Sequence, residues 1–70
     1  MTINEQTALD HKDDLRLMTV VEAADYLAIS RGSVYNLMRS GAIISVNIGR
    51  ARRIPVAELR RFVRSTLAGV

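Results

Sequence analysis

Apolar residues recur along this chain in two rhythms, and each predicts an element. Over residues 20–28, Val20, Ala23, Ala24 and Leu27 fall at three-to-four spacing, so they share one face of a short helix. Thr19 and Glu22 stand at capping-box spacing: the threonine oxygen takes a first-turn N–H, and the glutamate reaches back to the cap. Met18 before the cap and Ala23 after it are placed to clamp the entry. Glu22 and Asp25 stay wet near the positive end of the helix. A second helix is predicted over residues 31–40, with Val34, Leu37 and Met38 as its apolar stripe. Ser30 is its N-cap, with Ser33 a second candidate, and Gly41 suits the left-handed residue that stops it.

After Gly41 the rhythm shortens to two. Ile44, Val46 and Ile48 alternate with Ser45 and Asn47, as in a strand with one buried face. Gly49, Arg50 and Ala51 make a turn, and residues 52–54 return. Pro55 lacks a ladder donor and suits the first turn of a third helix, predicted over residues 55–67. That helix buries Val56, Leu59, Phe62, Val63 and Leu67. The expected fold class is therefore mainly α with a small β-hairpin. One core gathers Leu27, Val34, Leu37, Ile44, Val46, Leu59, Phe62 and Val63. A core of this size supplies about 3–5 kcal/mol, so Leu37→Ala or Leu59→Ala, at about 2–5 kcal/mol each, threatens folding. Residues 1–17 are polar and without sustained period, so they are expected to form a mobile arm ahead of a domain at residues 18–68. Leu9, Leu15, Leu17 and Met18 leave room for a helical turn or for packing onto that domain.

Charge sharpens the picture. The chain has 70 residues and a formal charge of +3. Residues 1–30 hold six acids against Lys12 and Arg16, whereas residues 31–70 hold eight arginines against Glu58 alone. Arginine's planar fork suits phosphate and guanine edges. A basic half of this kind points to a polyanion, or else to a merely soluble basic surface. There is no cysteine, which removes disulfides and thiolate metal sites, and the lone His11 has no partner in its polar segment. No metal, cofactor or small-molecule ligand is expected. Nothing resembles a His–acid pair, a glycine-rich phosphate loop or a carboxylate pair in a pocket, so an enzyme is not expected. No apolar run spans a membrane and no signal peptide is visible, which implies a cytoplasmic protein.

Three stretches carry a resemblance: Thr-Val-Val-Glu-Ala-Ala-Asp-Tyr-Leu from Thr19, Ile-Ser-Arg-Gly-Ser-Val-Tyr-Asn-Leu-Met-Arg-Ser-Gly from Ile29, and Val-Asn-Ile-Gly-Arg-Ala-Arg-Arg-Ile-Pro from Val46. Together they resemble the excisionase group of MerR-like winged helix-turn-helix proteins, over about Met18 to Leu67. The resemblance implies three short helices plus a two-stranded wing, with the second helix in a DNA major groove and the wing at the neighbouring minor groove or its phosphates. It further implies a small bacteriophage recombination directionality factor that binds cooperatively beside attachment sites, bends DNA and steers a separate integrase toward excision in the bacterial host cell. Self-association is then expected on DNA, with a weakly associating or monomeric state in solution. The chain departs from the group at Gly32, where serine, proline or threonine is usual. It also stops short of the long dimerising helix of MerR-type regulators, which disfavours an effector sensor.

The residues themselves point the same way. Arg31 at the start of the second helix is placed for phosphate or a base edge, and Ser33 with the first-turn amides for a phosphate oxygen. Tyr35 and Asn36 follow on the exposed face, where asparagine can pair with adenine. Arg39 suits guanine or phosphate. Arg50 and Arg52 lie at the wing tip, and Arg53 either joins them or stacks on the core edge. Each has a plainer alternative, a solvated surface, as do Arg60, Arg61 and Arg64 on the third helix. Two other functions remain open: a small repressor using the same surface, and a protein-interaction module that ignores DNA.

Overall fold

The computed structural model describes residues 15–69. In chain order these form β1 (Leu17–Met18), α1 (Val20–Leu27), α2 (Arg31–Arg39), β2 (Val46–Ile48), β3 (Ala51–Pro55) and α3 (Val56–Ala68). The expected arm lies outside the described residues up to residue 14, and His11 and Leu9 with it.

The helix ends follow local chemistry. Thr19 Oγ1 accepts from the Glu22 N–H at 3.1 Å, and Glu22 Oε1 accepts from the Thr19 N–H at 3.0 Å, which completes the capping box. Arg16 Nη2 lies 3.3 Å from Glu22 Oε2. α1 stops at Leu27, one residue short of the predicted end at residue 28, because Ala28 turns left-handed at φ 57° and ψ 43°. The Ala28 N–H donates to Asp25 O and the Ile29 N–H to Ala24 O, a Schellman stop made with alanine in place of the usual glycine. Ser30 Oγ then accepts from the Ser33 N–H at 3.1 Å and donates to Ser33 Oγ at 2.9 Å. Ser30 is therefore the cap of α2, and Ser33 is its third-residue partner. Ser40 ends α2 and Gly41 follows at φ 83°, as expected of a glycine stop.

The wing contains a strand that periodicity did not predict. All three strands are antiparallel in the order β1-β3-β2, with β3 central. Leu17 lies opposite Pro55 and Met18 opposite Ile54, while the Val56 N–H donates to Arg16 O at 2.9 Å. Leu17, read from sequence as part of the arm, is thus tied to the root of the wing. Two residues of β1 are too few to produce a period. Pro55 closes β3 and caps α3, so the helix begins at Val56 and not at the proline.

The core consists of Met18, Ala23, Ala24, Val34, Ile43, Ile54, Val56 and Leu59, with Val20, Leu27, Leu37, Met38 and Phe62 packed around it. Val34 and Leu59 are fully buried as expected. Leu27, Leu37, Phe62 and Val63 are half-buried. Ile44 and Val46 were expected inside, yet they are 63% and 37% exposed. The cause is backbone geometry: the chain is not yet a strand at residues 42–45. There the Ile43 N–H donates to Leu37 O and the Ile44 N–H to Glu58 Oε1. This bend turns Ile43 inward and Ile44 out. β2 then runs as an outer strand with every residue exposed. Leu67, expected in the buried stripe, is also exposed, because α3 is exposed throughout beyond Val63.

Candidate nucleic-acid interface

Strand pairing decides which way the wing arginines face. Val46 lies opposite Arg53, Asn47 opposite Arg52 and Ile48 opposite Ala51. Successive strand residues point to opposite sides, so Arg52 and Asn47 share a side with buried Ile54, and Arg53 shares the outer side with Val46 and Ile48. Arg52 therefore reaches α2. It lines a polar cleft of about 240 Å³ together with Tyr35, Met38, Arg39 and Ser45. Arg50 is exposed in the two-residue loop, beside Gly49 at φ 61°. Half-buried Arg53 donates from Nη1 to the Arg52 carbonyl at 2.9 Å, on the side away from the cleft.

On α2, burial of Val34 turns Tyr35, Asn36 and Arg39 outward. Arg39 Nη1 donates to Asn36 Oδ1 at 3.3 Å, so the two side chains lie together on the outer face. Arg31 is exposed at the first helical position. Ser33 is half-buried, and with Asn36 it borders an apolar groove of about 530 Å³ whose walls include Leu27, Ile29, Leu37 and Phe62. The residues singled out from sequence thus divide. Tyr35, Arg39 and Arg52 converge on one cleft. Asn36 joins through Arg39, Arg31 and Arg50 are exposed outside the cleft at the start of α2 and in the wing loop, and Ser33 and Arg53 turn elsewhere. At Gly32 an added Cβ would meet nothing closer than Ser30 Oγ at 3.8 Å, so packing does not demand glycine there.

Sequence reading missed how the one acid of this half is used. Glu58 Oε1 and Oε2 accept from Arg61 Nη2 at 2.6 Å and Nε at 3.1 Å, and Oε1 also accepts from the Ile44 N–H at 3.0 Å. Arg61 Nη2 donates in addition to Ala42 O at 2.8 Å. The Arg61 guanidinium and the Ile44 N–H hold the Glu58 carboxyl below the usual carboxylate range, and burial opposes them. The pairing also raises Arg61. Its only sequence signal was the i, i+3 spacing of an acid and a base. Among the described residues no cluster of His, Cys, Asp and Glu could hold a metal ion, and no helix is long and apolar enough to cross a membrane.

A short helix capped by serine, a tight joint to the helix before it, and a wing that shares a basic cleft with it define a winged helix-turn-helix domain of the DNA-binding class. Known proteins agree with that class. The helix-turn-helix domain family matches residues 17–66. The chain is 37% identical over 51 residues to the "Excisionase" of Streptomyces ambofaciens, which covers 73% of this chain and 82% of that protein. It is 56% identical over 39 residues to the "Probable excisionase" of Saccharopolyspora erythraea, 56% of this chain and 40% of that longer protein. No solved structure matches it. The chain belongs to the excisionase-type helix-turn-helix family.

Proposed function

We propose that this protein is an excisionase: it binds double-stranded DNA beside attachment sites, bends it, and directs a phage integrase toward excision. One observation carries the reading. Arg39 and Tyr35 from α2 and Arg52 from the wing line a single cleft on a scaffold whose relatives are excisionases. An α-helix about 10–12 Å across fits a major groove about 12 Å wide. In this reading α2 enters the groove, Arg39 and Asn36 meet base edges, and Arg31 holds phosphate at the helix start. Arg50 and Arg52 grip the neighbouring backbone or minor groove. Arg53 on the outer side and Ser33 within its cap play smaller parts than their sequence positions imply.

A single domain of this size covers roughly 600–1,000 Å², too little for high selectivity alone. Several copies on repeated sites, touching one another on DNA and monomeric or weakly associated off it, supply the rest. Bending costs a few kcal/mol, recovered through the added contacts. Gel-shift and bending assays on attachment-site and promoter DNA, with an excision assay containing the cognate integrase, test this. Binding and bending at attachment sites with stimulated excision are expected. Binding confined to promoter DNA without excision would make the protein a repressor. A folded protein that binds no DNA at low salt would be an interaction module, and the proposal would fall.

A further inference from the structure

The one acid of the basic half and the arginine beside it do not face the cleft, yet they hold the segment from which the wing departs. Residues 42–45 join the glycine stop of α2 to β2. Two of their backbone groups are tied to α3: the Ile44 N–H to Glu58 Oε1 at 3.0 Å, and the Ala42 carbonyl to Arg61 Nη2 at 2.8 Å. The ends of this staple are locked to each other by the Glu58–Arg61 pair, whose Glu58 side chain is only 14% exposed. Ser45, next to the stapled amide, already lines the cleft with Arg39 and Arg52. β2 is an outer strand with no buried residue of its own, so its path relative to α2 depends on how this bend is held.

We infer that Glu58 and Arg61 are positioning residues for DNA recognition: by fixing residues 42–45 against α3, they set the separation between Arg39 on α2 and Arg52 on the wing. The inference rests on the DNA-binding reading above. It departs from a charge-based reading in one respect: Arg61 acts through the bend and not as a phosphate contact. A phosphate contact contributes about one unit to the slope of log affinity against log salt and survives while its own charge remains, whereas a positioning residue acts through the contact it places and fails when its partner in the staple is lost.

The test compares wild type, Glu58→Gln, Arg61→Gln, Arg52→Ala and the Glu58→Gln/Arg52→Ala double variant on attachment-site DNA over a salt series. Thermal melts confirm folding of each. Glu58→Gln keeps an oxygen for the Ile44 N–H and loses the charge that holds Arg61. Should Arg61→Gln fail to fold, the Glu58→Gln losses in the wild-type and Arg52→Ala backgrounds carry the test. Glu58→Gln and Arg61→Gln are each expected to weaken binding on the order of tenfold, with slopes no lower than that of Arg52→Ala. In the Arg52→Ala background the Glu58→Gln loss should shrink to less than about twofold, as coupled residues require. A loss in Arg61→Gln with none in Glu58→Gln, which keeps the Arg61 charge, would make Arg61 a phosphate contact and overturn the inference. So would full affinity in folded variants, or an equal loss in both backgrounds. Wild type that fails to bind at low salt overturns the DNA-binding reading itself, and this one with it.

Discussion

Ala28 makes the turn between α1 and α2 with a left-handed backbone at φ 57°. Its Cβ crowds the following carbonyl there, a cost of roughly 1–2 kcal/mol that glycine avoids. Ala28→Gly should therefore raise stability by about 1 kcal/mol after glycine's extra chain entropy is charged against it. In a domain of this size the thermal midpoint should rise by about 4–8 °C. A midpoint that falls would mean neighbouring contacts of the alanine outweigh its strain. The residue scale is also where the sequence is easiest to read. Thr19, Glu22, Ser30 and Gly41 act on backbone groups within four residues, and each does what its type implies. Ala28 was illegible because alanine carries no local preference for that conformation. The stop is imposed by the two hydrogen bonds from Ala28 and Ile29 and by the packing of the helices on either side.

At the element scale, α1 and α3 were legible because each keeps its apolar stripe for about two turns or more, and α2, with little more than one turn of stripe, because Ser30 and Gly41 mark its ends. The wing was not. Its alternation from Ile44 to Ile48 is real in the sequence, but the strand begins only at Val46, after the bend has reversed which isoleucine faces the core. Ile43 is 1% exposed and Ile44 63%, so adjacent residues of one type should behave oppositely. Ile43→Ala is expected to cost about 2–5 kcal/mol, and Ile44→Ala no more than about 0.5 kcal/mol, both read from chemical denaturation. Comparable losses would restore the sequence-based register. On the proposed reading, the helix and the wing differ in kind as well. Arg50 at the wing tip should grip any duplex, so Arg50→Ala should weaken binding across sequences and lower the salt slope by about 1. Arg39, within the cleft, should read a base: Arg39→Ala is expected to cost about 1–3 kcal/mol and relax preference at one position. Binding-site selection and a salt series on both variants check the division, and exchanged behaviours would reverse it.

Among the described residues, the charges that the proposed function assigns to DNA are distinct from the acids that hold the fold. The basic half carries eight arginines against one glutamate, and that glutamate joins α3 to the bend before the wing. At the other end of the sequence, Glu22 closes the cap of α1. Its carboxyl is held low first by the Thr19 N–H, then by the Thr19 hydroxyl and by Arg16. Glu58 is held low by Arg61 and by the Ile44 N–H. Both folded values lie below the ordinary 4.5, so in acid the unfolded chain takes up protons before the native one does. The stabilisation from these carboxylates is complete above about pH 4.5 and is lost as pH falls through the depressed values. Melts should change little between about pH 7 and 5 and drop steadily below about 4.5. Glu58→Gln makes the assignment specific. Protonated Glu58 and glutamine present similar neutral groups to Ile44 and Arg61, so the variant should melt lower than wild type at neutral pH and approach it in strong acid. A gap that persists undiminished in acid would show that the staple works by shape and not by charge.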